Sequence, residues 1–228
     1  MEVLKNLIRT KFMPNNPFCP YNDRESRSKF IAKTFKKYIE GPLLDVGSSE
    51  NFLKNHIPNN IKYVSVDITG TPTYKIDLEK EGLSSFKDNS FNTVICTEVL
   101  EHLNNLHDVF DDICRVSNKY VILSLPNNWL YFKFILIKNH GDLKFFGLPV
   151  EKPMDRHKWF FNYDQALNFI IKRGKMNKFK YILHIPIPFI RFGLRHYILN
   201  LLFKYYYKNQ FGLNNTSYIS VWVLLEKE

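Results

Sequence analysis

At 228 residues, 45% hydrophobic and 16% aromatic, the chain is too apolar for a disordered protein and long enough for one α/β domain, or one domain with an insertion. The formal charge of +10 favours an anionic partner such as nucleic acid, an acidic lipid surface or a phosphorylated substrate, although abundant Lys, Asn, Ile and Phe together are also what an AT-rich coding sequence produces. Cys19, Cys96 and Cys114 are odd in number and form no CxxC pair, which suggests neither a disulfide framework nor a zinc knuckle.

The opening stretch MEVLKNLIRTKFMPNN breaks its apolar residues with charge every few positions, unlike a signal peptide, and residues 1–25 read as an arm ahead of the domain. No strongly apolar run reaches the roughly 18 residues of a membrane span. The expectation is a cytoplasmic protein, at most peripheral to a membrane. From Ser26 to Glu40, Phe30, Ile31, Phe35, Tyr38 and Ile39 recur at helical spacing, and Gly41-Pro42 closes that helix. PLLDVG then reads as a short buried strand, IKYVSVDIT (61–69) as a second and TYKIDL (73–78) as a shorter third. SFNTVICTEVL (90–100) opens as a buried strand and passes into a helix, with Leu103, Leu106, Val109, Phe110 and Ile113 at helical intervals. KYVILSLP (119–126) is a further apolar strand.

Short apolar strands alternating with helical patterns indicate a Rossmann-like, doubly wound, mostly parallel seven-stranded sheet with helices on both faces. The stretch 128–160 is too long for an ordinary connection and reads as an insertion. NYDQALNFIIKRG (162–174) carries an Asn or Asp start and a Gly stop, so it reads as a helix. FKYILHIPI (179–187) and SYISVWVLLEK (217–227) supply the last two strands. Between them, 188–210 holds four basic residues and no acid, although Arg191 and Arg195 fall on the side opposite Lys204 and Lys208 and make no single stripe. The expected organisation is therefore an arm over 1–25 and one domain over 26–228, with insertions at about 128–160 and 188–212.

In a doubly wound sheet, ligands lie outside the carboxyl ends of the strands. Asp45, Asp67, Asp77 and Glu98 all fall at or just after strand ends. Asp67 lies about twenty residues beyond the turn at Gly47, where such a site places the acid that grips ribose hydroxyls. Each acid has a plainer reading: Asp45 could cap the turn, and Asp77 the helix after it.

These segments resemble the class I S-adenosylmethionine-dependent methyltransferases, in their small-molecule, type 11-like branch. LLDVGSSENF is similar to the first motif, YVSVDIT to the second, YKIDLEK to the adenine-contacting segment and SFNTVICTEVLEHL to the segment that carries E-V-L-E-H. The resemblance implies S-adenosyl-L-methionine as cofactor, held by Asp45, Gly47, Ser49, Asp67, Ile68, Asp77, Leu78 and Glu98. It implies methyl transfer to a small molecule or a lipid- or sugar-linked precursor, with His102 and His157 as acid/base groups. Two places depart from the pattern. Ser48, Ser49, Glu50 and Asn51 stand where further glycines are usual, although Asn tolerates left-handed φ. Asn92 replaces the usual acid of its strand.

An RNA methyltransferase and a non-catalytic methyltransferase-like binding module are the alternatives. The D/N-P-P-Y run of the amino-methylating nucleic-acid members is missing from the place where CTEVLEHL stands, so nucleic acid is not the expected partner. Segment 188–210 reads as a lid, an anionic-lipid contact or a dimer surface, which leaves the oligomeric state open. No metal is expected, because Glu98 and His102 would share a helix face that His107 does not, and two ligands do not make a zinc site.

Overall fold

Leu43–Val46, buried at all four positions, forms β1 at the centre of the sheet. The structure is a computed structural model and describes residues 19–130, 132, 145–153, 155–188, 202, 205 and 212–228. The expected arm before Cys19, most of the 128–160 insertion up to Lys144, and nearly all of 188–210 lie outside those residues. The other strands are β2 (Tyr63–Asp67), β3 (Tyr74–Lys75), β4 (Phe91–Thr97), β5 (Ser117–Pro126), β6 (Phe179–Pro188) and β7 (Tyr218–Lys227). The helices are α1 (Arg24–Thr34), α2 (Leu106–Val116), α3 (Tyr163–Met176) and the short α4 (Leu213–Ser217).

The strands form one seven-stranded sheet in the order β3-β2-β1-β4-β5-β7-β6. Strands β1 to β5 pair in parallel, while β7 runs antiparallel to both β5 and β6. The chain winds outward from β1 to β3, then returns to lay β4 on the other side of β1. That reversal opens a crevice at the carboxyl ends of β1 and β4. The sheet is the doubly wound one expected from the alternation of elements.

Strand alternation sorts the buried side chains onto two faces. Leu44, Val94, Cys96, Val121, Leu123, Val223 and Leu225 pack under α2 and α3. Leu43, Ile95, Ile122, Trp222 and Leu224 pack under α1, with Ile31 and Phe35. Trp222 sits fully buried among the rings of Tyr21, Phe30 and Phe35. Its indole N–H donates to the Tyr21 hydroxyl at 2.9 Å, so the segment before α1 is docked on β7.

Three local expectations need correction. The first helix stops at Thr34 and continues as a single 3-10 turn over Lys36–Tyr38. The helix expected to run unbroken through EHLNNLHDVFDDICRVS is interrupted: Leu100–His102 is a 3-10 turn, and α2 begins at Leu106. At the break the Leu103 carbonyl accepts the Trp159 indole N–H at 2.7 Å, and the Asn105 amide donates to the Leu78 carbonyl at 3.0 Å. Those tertiary bonds replace helical ones. Finally, Gly174 does not end α3, which runs on to Met176. A Cβ at that glycine would lie 2.7 Å from the buried Leu225 Cδ1, so its role is close packing on β7.

Candidate active site

The loop leaving β1 is shaped by one obligatory glycine and two residues that behave like glycines. Gly47 has φ +78°, and a Cβ there would stand 2.1 Å from Val99 Cγ2. Ser49 and Asn51, within the Ser48–Asn51 stretch where the resemblance expects further glycines, have φ 52° and 58°. Left-handed φ is costly for residues with a Cβ, least so for Asn, and here it is held by cross-ties. The Ser49 N–H donates to Asp67 Oδ2 at 2.8 Å, its hydroxyl accepts from the Arg24 guanidinium at 2.6 Å, and its carbonyl accepts the Thr71 N–H at 3.0 Å. The Asn51 side-chain amide donates to the Thr71 carbonyl. Gly70, with φ +72°, lets that second loop approach, since a Cβ there would lie 2.3 Å from the Ser49 carbonyl oxygen. Glu50 is exposed and accepts from the Thr71 hydroxyl at 3.1 Å.

Asp67 ends β2 beside this loop. Its Oδ1 accepts the Thr69 N–H at 2.8 Å and its Oδ2 the Ser49 N–H. A carboxylate offers about four lone-pair sites, so acceptor capacity remains. The next side chain, Ile68, is 62% exposed and forms an apolar surface at the strand's end. Asp77 lies two residues past β3, where it accepts the Glu79 N–H at 3.1 Å; the Lys80 ammonium holds its carboxyl below the usual range. The Leu78 side chain is buried in the core, so at that position the backbone is what faces outward from β3 toward α2.

Asp45 is buried on the α1 face, where Tyr63 donates its hydroxyl to Oδ2 at 2.6 Å. Burial pushes this carboxyl up to about 6, against the opposing pull of the Tyr63 hydrogen bond and of Arg27. Glu98 follows β4 directly with φ 57°, so it does not share a helix face with His102. Burial raises its carboxyl, and Ser124 donates to Oε1 at 3.3 Å. Arg27 draws Asp45, Glu98 and Glu101 toward the charged form. Sequence reasoning missed Arg24, which fell in the expected arm over 1–25, and Arg27, in a helix read only for its apolar face; what aims them at the site is the docking of α1, which periodicity does not report.

At the far side of the crevice the segment 155–161 returns over the Leu100–His102 turn. The Lys158 N–H donates to the Glu101 carbonyl at 2.8 Å, and Asn128 donates its amide to the Trp159 carbonyl at 3.0 Å. These bonds set the His157 ring 4.7 Å from that of His102, stacked on Phe145. Burial and His102 push the His157 imidazole down to about 4. His107 packs instead against the rings of Trp159 and Phe169. Tyr163 is buried, whereas Phe160 is largely exposed. Asn92, in place of the usual acid, donates its amide to the Gly41 carbonyl at 2.6 Å and so ties β4 to the entry of β1.

Residues 44–123 match the family model described as a methyltransferase domain. The same overall fold occurs in solved methyltransferases. The chain has the fold of the class I methyltransferases. A methyltransferase from Archaeoglobus fulgidus, described as dependent on S-adenosylmethionine (SAM), superposes with a TM-score of 0.51 at 16% identity, covering 90% of this chain and 95% of that one. Magnesium protoporphyrin IX methyltransferase of Synechocystis PCC 6803, solved with bound SAH, gives 0.54 at 14% identity, covering 100% and 94%. The [4+2]-cyclase SpnF gives 0.54 at 9% identity, covering 99% and 92%. No curated protein sequence matches this chain.

Proposed function

We propose that the chain is a SAM-dependent methyltransferase acting on a small molecule or on a lipid- or sugar-linked precursor. The observation that carries this reading is the loop 47–51. It reaches the left-handed turns of a nucleotide loop without the usual glycines, and it is locked against the carboxylate at the end of β2. The residues present fit the cofactor. Asp67 has acceptor capacity for a ribose diol, Ile68 is an exposed apolar surface for a purine, and Ser48 carries a buried hydroxyl with no hydrogen-bond partner among the described residues. Asp45, Gly47, Ser49 and Glu98 would line the end nearer β4, with Asp77 and the Leu78 backbone at the adenine end.

When bound, the cofactor supplies an activated methyl group on a sulfonium. The chain's own contribution is alignment in a dry crevice, an effect worth roughly 7–11 kcal/mol when geometry is well held. His157 is neutral at physiological pH. Its Nδ1 faces the Asn128 side-chain oxygen at 3.3 Å, which leaves the other nitrogen to accept a proton from a hydroxyl acceptor. His102, in ring contact with it, stands at the same end. The basic segment 188–210 is suited to recognising an anionic acceptor or a lipid surface.

Incubation with methyl-labelled SAM and a deproteinised extract of the source cells tests the acceptor class. Label is expected in the low-molecular-weight or solvent-extractable fraction. Label confined to a ribonuclease-sensitive fraction would instead identify an RNA methyltransferase.

A further inference from the structure

Glu101 is 1% exposed, and its Oε2 has no hydrogen-bond partner among the described residues. A buried carboxylate without full pairing is costly, and its usual remedies are a proton or a cation. Its nearest neighbour in the cluster is His102, whose Nε2 lies 3.7 Å from Glu101 Oε1. The other ring nitrogen of His102, Nδ1, stands 2.6 Å from Asp155 Oδ1.

His157 completes the cluster from the opposite strap. Asn128 spends its amide nitrogen on the Trp159 carbonyl, so its oxygen is the atom presented to His157 Nδ1 at 3.3 Å. Nδ1 is therefore the protonated nitrogen, and the lone pair lies on Nε2. Glu101, His102 and His157 can each offer one ligand atom, all within 4.8 Å of one another. A metal with bonds of about 2.0–2.2 Å needs ligand atoms roughly 3.3–3.6 Å apart, which modest side-chain rotation supplies. Both imidazoles thus have Nδ1 beside an oxygen and Nε2 available, the arrangement that outer partners impose on metal-bound histidine. The bonds from Lys158 N–H to the Glu101 carbonyl and from the Trp159 indole to the Leu103 carbonyl hold the two halves together.

We infer that Glu101, His102 and His157 bind one first-row divalent metal ion of the zinc, cobalt or manganese kind, with Asp155 and Asn128 orienting the imidazoles. One carboxylate and two imidazoles suit such ions better than magnesium or calcium, which prefer oxygen. Three protein ligands leave a position for water or for an oxygen of the acceptor. The inference rests on the methyltransferase reading for its purpose: an ion here would lower the pKa of an acceptor hydroxyl, and with the ion bound His157 Nε2 would act as its ligand in place of taking the proton directly.

The test is titration of chelator-treated full-length protein with Co²⁺, read by visible absorption, and with Zn²⁺, read by calorimetry. One equivalent should bind and give a cobalt spectrum with nitrogen and oxygen ligands. Glu101→Gln and His157→Gln should each weaken binding at least about 100-fold, and Asp155→Asn about tenfold. His184→Ala, which changes an exposed histidine outside the cluster, should leave binding intact. Absence of stoichiometric binding, or binding that survives both Glu101→Gln and His157→Gln, would overturn the inference. A parallel SAM titration of the same samples separates the two claims. Cofactor binding without metal binding rejects the metal site alone, and metal binding without cofactor binding rejects the methyltransferase reading alone.

Discussion

Asp45 illustrates how one buried side chain ties the site to the stability of the fold. Its carboxyl is raised from 3.8 to about 6 by burial. Between those values the folded state binds more protons than the unfolded one, so stability falls as pH rises through that window. Asp45→Asn keeps an acceptor for the Tyr63 hydroxyl and removes the ionisation. We expect the variant to match the parent below pH 4 and to exceed it at pH 7 by on the order of 1–3 kcal/mol, measured by urea unfolding across pH. Equal pH dependence in both proteins would contradict the burial argument. At this scale the acids at strand ends and Gly47 were legible in the sequence, because each follows an apolar run that ends abruptly. Glu101 was not. Its neighbours in E-V-L-E-H suggest a helix face, whereas the Leu100–His102 turn buries it.

Among the elements, α3 shows which local signals survive folding. Asn162 accepts the Gln165 N–H at 2.9 Å while the Gln165 side chain accepts the Asn162 N–H at 3.0 Å, a reciprocal cap of which the sequence signalled the Asn start. Asn162→Ala should therefore cost about 1 kcal/mol, and thermal denaturation should show a loss of about 2–4 °C for a chain of this size. An unchanged melting temperature would mean that packing of Tyr163 and Ile170 fixes the helix start without the cap. The stop at Gly174 misled because a glycine chosen for contact with Leu225 looks the same in sequence as one chosen for a turn. The helix break before Leu106 was hidden for a related reason: Leu103 keeps helical spacing, but its carbonyl is claimed by Trp159. Tertiary partners from far along the chain decide such points, and periodicity carries no trace of them.

For the molecule as a whole, the doubly wound sheet follows from its alternating apolar strands and helices, and the order of strands places β1 beside β4. Asp45, Asp67 and Glu98, far apart in sequence, come to one edge of the sheet because β2, β1 and β4 are neighbouring parallel strands. Fold alone does not fix the reaction: a [4+2]-cyclase shares this architecture. The proposed methyl-donor chemistry rests on the tied loop 47–51 with Asp67 and the exposed Ile68 beside it. The most direct measurement is calorimetric titration of the protein with SAM and its demethylated product, alongside Asp67→Ala. We predict one cofactor per chain with micromolar affinity, weakened at least about tenfold in Asp67→Ala, the loss of one charge-assisted hydrogen-bonding group. No heat and no thermal shift at millimolar ligand would contradict the account and leave a methyltransferase fold without its cofactor.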